Sequence, residues 1–266
     1  MNDGILLTVA YDGRGFAGWA PQPGQQTVAG VLLAALRVMR PDVAEVRGAS
    51  RTDAGVHARG QRAAFDAPPG IEPRGWALGV SAHLPDSIAI RRASRVPAGF
   101  QPRFASRGKR YVYTVLRDPL RDPFVSGFAW RVGGALDVER MRAEARLALG
   151  THDFAAFRSS ADERDETTRT IGRLDVEVDP RDPRLLRMIV EGNAFMHNMV
   201  RILSGTLVDV GRGRLAPGAI TRALTSLDRR DLGVTAPAGG LCLDEIRFDD
   251  EGSNAWPESV LAGDQR

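Results

Sequence analysis

Cysteine is nearly absent from this chain, and its scarcity removes whole classes of chemistry. Cys242 is the single cysteine among 266 residues, so neither an internal disulfide nor a cysteine-cluster zinc or iron–sulfur site can form within one chain. The four histidines, His57, His83, His152 and His197, are scattered without metal-ligand spacing, so no metal is expected. No Walker-type loop is present, which removes the usual support for a nucleoside-triphosphate site. No apolar run approaches the roughly 20 residues of a membrane-spanning helix. The opening Met-Asn-Asp-Gly lacks the basic start and apolar core of an export signal, so the expected compartment is the cytoplasm. Lysine is reduced to Lys109; the other 35 basic residues are arginines. Arginine suits phosphate through its planar fork, although a base-composition bias that also favours Ala, Gly and Pro accounts for the same pattern. The formal net charge is only +3, with a pI of about 9.6.

What is present is ordered alternation. Ile5 to Tyr11 alternates like a strand, and Thr27 can cap a helix with apolar Val28, Val31, Leu32, Ala35, Leu36 and Met39, stopped by Pro41. Val43 to Ala49 and Gln61 to Asp66 read as strands, Pro73 to His83 as a helix, and Ser87 to Arg95 as a strand. The second half repeats the order. A strand at Gly108 to Leu116 precedes a helix from the cap Asp137 to Leu149. Strands at Arg169 to Val178 and Arg184 to Glu191 follow, then a helix from Met196 to Gly211, a short helix after Pro217 and a strand at Leu241 to Phe248. Both halves therefore read strand-helix-strand-strand-helix-strand. This is an α+β class with two ferredoxin-like (β-α-β-β-α-β) halves and antiparallel sheets able to merge side by side. The expected division is 1–103, 104–250 and a loosely ordered tail, 251–266.

The segment RTDAGVHA, 51 to 58, carries the chemistry. Asp53 precedes Ala54-Gly55, where small residues let another backbone or a substrate approach, and a loop carboxylate held between strands is well placed for catalysis. The bland alternative is a turn with a surface ion pair between Asp53 and Arg51.

Five segments in order point further. ASRTDAGVHA at 49 to 58 resembles the catalytic motif of the tRNA pseudouridine synthase A family, which acts on the tRNA anticodon arm. YDGRGFAGW at 11 to 19, GQRAAF at 60 to 65, FQPRFASRGKRYVY at 100 to 113 and NAFMHNMVRILSG at 193 to 205 resemble that family's other signatures. Ser50 stands where the family often has glycine, and Ala20 where it often has glutamine. The resemblance implies two ferredoxin-like domains around a basic cleft, a homodimer, no cofactor, and uridines at positions 38 to 40 of tRNA as substrate. It puts the catalytic aspartate on Asp53, the active-site tyrosine on Tyr111 and the signature arginine on Arg201, with Arg51 matching the motif arginine.

Isomerising uridine to pseudouridine detaches uracil from C1′, turns it, and rejoins it through C5. Asp53 can serve as covalent nucleophile or as base at the sugar. Arg201 opposes the desolvation that would protonate it. Tyr111 offers a stacking face and a phenol for proton transfer. Arg51 either braces the space left by the flipped base or pairs with Asp53. His57 reads as a structural holder of the loop. Arg14, Arg103, Arg107, Lys109, Arg110, Arg158, Arg164 and Arg169 are candidate phosphate contacts, which would make tRNA binding salt-dependent. The competing readings are a base-cleaving enzyme that stops after the glycosidic bond breaks, and a non-catalytic paired RNA-binding module, which has no need of Asp53.

Overall fold

The computed structural model describes residues 3–160, 162 and 165–248; Arg164 and the 251–266 tail lie outside the described residues. Alternation makes β1 (Asp3–Tyr11) a strand with Ile5, Leu7 and Val9 in the core. After a loop comes α1 (Val28–Met39), capped by the Thr27 hydroxyl, which accepts from the Gly30 amide at 3.3 Å. Then follow β2 (Arg47–Gly48), β3 (His57–Ala67), α2 (Pro73–Ser81) and β4 (Ile88–Val96). The strand expected over Val43 to Ala49 shrinks to β2 for a visible reason. The Arg37 guanidinium takes the carbonyls of Val43 and Ala44, at 2.9 Å each, and so withdraws them from the ladder.

The second half begins with a single helical turn, α3 (Pro102–Ala105), before β5 (Gly108–Leu116) and β6 (Trp130–Arg131). Asp137 caps α4 (Val138–Arg146) by accepting from Arg140 N–H at 3.0 Å. β7 (Gly150–Asp153), β8 (Thr168–Val178) and β9 (Leu185–Gly192) lead to α5 (Met199–Gly211), α6 (Ala219–Ser226) and β10 (Leu241–Arg247). β6 and β7 lie outside the expected elements. α5 starts later than Met196 because Asn198 is left-handed, φ 63°, and turns the chain just before the helix.

One ten-stranded sheet results, ordered β4-β1-β3-β10-β5-β9-β8-β7, with β2 added on β3 and β6 on β5. In β4-β1-β3-β2, and again in β10-β5-β9-β8 when β6 and β7 are set aside, neighbours are antiparallel and stand fourth, first, third, second in their own half. That repeat matches the two-half fold expected from the order of elements. The halves join where β3 and β10 run parallel, His57 opposite Cys242 and Ala58 opposite Leu243. The seam is only two residues wide because β2 occupies the same edge of β3 further along, at Ala63 and Ala64. The loop 49–56 between β2 and β3 therefore emerges at the junction of the two halves.

The core runs through both halves. Trp76 of α2 sets its edge against Phe65 of β3, ring centroids 4.9 Å apart, and Tyr113 is fully buried under α5. Aromatic pairs of this kind add roughly 0.5–1.5 kcal/mol beyond the area they bury. Among the described residues no helix is long and apolar enough to cross a membrane.

Candidate active site

The loop 49–56 is held rigidly from three sides. Buried Gln61 reads both backbone groups of Ser50: its amide oxygen accepts from the Ser50 N–H at 3.3 Å and its amide nitrogen donates to the Ser50 carbonyl at 2.7 Å. The hydroxyls of Tyr11 and Thr52 meet at 2.7 Å, and Trp19 N–H donates to the Thr52 carbonyl at 3.1 Å. Gly55, at φ 78°, closes the turn, in which Val56 N–H bonds the Asp53 carbonyl at 3.1 Å. Such support fixes where the Asp53 side chain leaves the backbone.

His57 completes the anchoring. Its Nδ1 accepts from Gly13 N–H at 3.1 Å, and its Nε2 reaches the carbonyls of Gly127 and Gly239 at 2.9 and 3.2 Å. With Nδ1 committed to the Gly13 amide and Nε2 donating, the Asp12 oxygen 3.2 Å from Nδ1 is a neighbour rather than a partner. The ring ties the first loop, the long connection after β5 and the approach to β10 into one unit.

Asp53 projects into a cleft of about 1010 Å³ between the halves. Its carboxylate is one quarter exposed and has two neighbours from the second half. Nη1 of Arg201 lies 3.4 Å from Oδ2, and Nε2 of His197 lies 3.4 Å from Oδ1. Arg201 is itself held, its Nε donating to the Ala236 carbonyl at 2.8 Å and its Nη1 to Asn198 Oδ1 at 2.7 Å. The left-handed Asn198 backbone lets that side chain fold back onto the first turn of α5. The guanidinium thus sits in a preset position beside the carboxylate.

Opposite, alternation along β5 sends Tyr111 and Tyr113 to one face and Arg110, Val112 and Thr114 to the other. Tyr113 belongs to the core, its hydroxyl donating to the Pro237 carbonyl at 2.8 Å. Tyr111 lines the cleft, with the edge of Phe195 against its ring at 5.3 Å. Its phenol lies 3.2 Å from the Ser50 hydroxyl, and burial pushes its pKa up to about 12.

The cleft brings together Asp53, Arg51, Arg103, Lys109, Tyr111 and Arg201. Arg51 is exposed on the wall and makes no ion pair with Asp53, whose charged neighbour is Arg201. Other candidates fall elsewhere. Arg110 faces the opposite side of the sheet, bound to Asp244 at 2.7 Å and Glu245 at 2.9 Å. Arg14 pairs with Asp12 and lies over Phe128, 4.6 Å from its ring centre. Arg169 is buried and donates to the carbonyls of Thr168 and Glu166. Arg107 is exposed just before β5, outside the cleft lining, its N–H donating to the Arg247 carbonyl at 2.8 Å, and Arg158 is half-buried in the loop before β8. His197 and Phe195 are the site neighbours that sequence reasoning missed; the signal available was a histidine four residues before Arg201.

With this geometry established, comparison with known proteins is direct. The family model described as tRNA pseudouridine synthase matches residues 7–105 and 145–249. The tRNA pseudouridine synthase A of Citrifermentans bemidjiense is 40% identical over 248 residues, covering 93% of this chain and 98% of that protein. That of Geobacter sulfurreducens is 41% identical over 244 residues (92% and 99%), and that of Bacillus licheniformis 38% over 247 (92% and 99%). Among solved structures, the archaeal box H/ACA sRNP Nop10-Cbf5 complex is similar at a TM-score of 0.33 and 15% identity, over 77% of this chain and 44% of that one. A family match across both halves, together with relatives near 40% identity from end to end, means that this chain belongs to the tRNA pseudouridine synthase family.

Proposed function

We propose that this protein isomerises uridine to pseudouridine in the tRNA anticodon stem-loop, at positions 38 to 40, acting in the cytoplasm as a homodimer without metal or cofactor. The observation that carries the reading is Asp53, fixed on a braced loop at the mouth of the cleft, with Arg201 beside it and the Tyr111 phenol on the facing wall. In this reading each half supplies part of the chemistry. Residues 1–103 bring the carboxylate, and residues 104–250 bring the tyrosine and the arginine.

Asp53 acts on C1′ of the flipped uridine, as nucleophile or as base. Arg201 keeps it ionised while the bound RNA excludes water. Tyr111 stacks on the detached uracil and serves proton transfer at C5. Arg51, exposed on the cleft wall, fills the space that the base vacates. Arg103 and Lys109 line the same cleft, and with Arg107 and Arg14 outside it they meet phosphates.

The test uses unmodified tRNA tritiated at uridine C5, with the wild-type protein and Asp53→Asn. Tritium release and pseudouridine from the wild type alone support the assignment. Free uracil would indicate a base-cleaving enzyme, and tRNA binding with neither product would leave an RNA-binding module.

A further inference from the structure

The chain's single lysine lies in this cleft, beside a buried serine that touches the active-site tyrosine. Lys109 Nζ is 3.1 Å from Ser50 Oγ, and Ser50 Oγ is 3.2 Å from the Tyr111 hydroxyl. Ser50 is 7% exposed, with both backbone groups locked by Gln61. We propose that Lys109, Ser50 and Tyr111 form a directed hydrogen-bond chain in which Ser50 is a positioning residue that aims and polarises the Tyr111 phenol. The proposal rests on the role assigned above to Tyr111.

The direction follows from donor counting. An ammonium has donors and no lone pair, so Lys109 must donate to Ser50. Ser50 then has one proton to give, and the Tyr111 oxygen is the acceptor within reach. The Tyr111 proton is left pointing away from Ser50, towards the cleft it shares with Asp53. Hydrogen bonds in series polarise one another, and a cation at the far end strengthens the set. The Ser50 bond and the burial of Tyr111 act on the phenol in opposite senses, burial being the larger. A buried phenol without the chain would be a poorer partner for the proton at C5.

Lysine suits this place. Its compact ammonium directs one N–H at a hydroxyl, whereas the arginine used at all 35 other basic positions presents a broad planar fork. The phosphate contact proposed above for Lys109 uses its remaining donors and acts on tRNA affinity and its salt dependence. A chain acting through Ser50 acts on the rate at saturating tRNA.

The experiment is a double-mutant cycle of S50A and K109M in the full-length protein, read as single-turnover tritium release at saturating tRNA, alongside tRNA affinity. Y111F is the control, S50T the variant that restores the hydroxyl, and thermal melting checks folding. S50A should slow release roughly tenfold with affinity unchanged, because it removes a charge-assisted bond to a reacting group. S50T should recover most of the rate. The double variant should be no slower than S50A by more than about twofold, since the two act through one path. A wild-type rate for S50A, strictly additive effects, or a K109M defect confined to affinity would overturn the chain. A wild-type rate for Y111F would instead remove the assignment of Tyr111, so the two failures are distinguishable.

Discussion

Arg201 and Asp53 are 148 residues apart in sequence, yet Nη1 of the arginine lies 3.4 Å from Oδ2 of the aspartate across the seam between the halves. The arginine meets three partners at once: the Ala236 carbonyl, Asn198 Oδ1 and the carboxylate. A lysine keeps the charge but cannot span this set. Arg201→Lys should therefore lower single-turnover pseudouridine formation by about 10- to 100-fold while tRNA affinity changes little. Equal rates for the two proteins would mean that charge alone suffices.

His197 closes the other side of Asp53, its Nε2 3.4 Å from Oδ1. Its backbone is pinned by the loop before β8: the His197 N–H donates to Asp162 Oδ2 at 2.9 Å, and its carbonyl accepts from Ser159 N–H at 3.0 Å. His197→Ala should reduce the rate at saturating tRNA by roughly tenfold, the scale of losing one close polar contact to a reacting carboxylate. His197→Gln, which retains an N–H at a similar reach, should recover part of that loss. A defect in tRNA affinity alone would instead assign His197 to RNA contact.

The order of elements was legible in the sequence because periodicity follows burial: Ile5, Leu7 and Val9 alternate into the core, and Leu32 and Leu36 are one helical turn apart and fully buried. The motif residues were legible as a group. Asp53, Tyr111 and Arg201 meet in one cleft, although no spacing in the chain announces it. What escaped depended on tertiary partners. Arg37 shortens β2 by taking two carbonyls that the Val43 to Ala49 pattern assigned to a strand. The left-handed turn at Asn198 places His197 against Asp53 outside any helical register. Alternation from Tyr111 also sends Arg110 to the far face of the sheet, as the structure places it.

All three tyrosines are buried, and loss of hydration raises each phenol above its ordinary value near 10; Tyr111 reaches about 12. A phenol whose pKa is higher folded than unfolded leaves stability intact below the unfolded value and erodes it as pH rises from there towards the folded value. The fold should hold on this account up to about pH 10 and weaken between about 10 and 12. Tyrosinate absorbance and circular dichroism should change together, without an early one-tyrosine step near pH 10. A phenol titrating normally in the folded protein would contradict the burial.

Gly18 ties the first loop to the catalytic one and can be tested by a single methyl. Its φ is 92°, a conformation that costs other residues, and a Cβ there would stand 2.6 Å from the Thr52 carbonyl oxygen and 3.2 Å from the Asp53 carbonyl carbon. Both atoms are backbone, so the strain cannot be relieved by a side-chain rotation. Gly18→Ala should cost about 1–3 kcal/mol of stability, the range for overpacking a filled site. Because the displaced atoms carry Asp53, the rate at a temperature where the variant is fully folded should also fall. A second methyl at Gly24, also left-handed but with open space around it, controls for the backbone term alone. If Gly24→Ala loses as much activity as Gly18→Ala, contact with the Thr52–Asp53 backbone is not what matters; a loss confined to Gly18→Ala ties the position of the carboxylate to this approach.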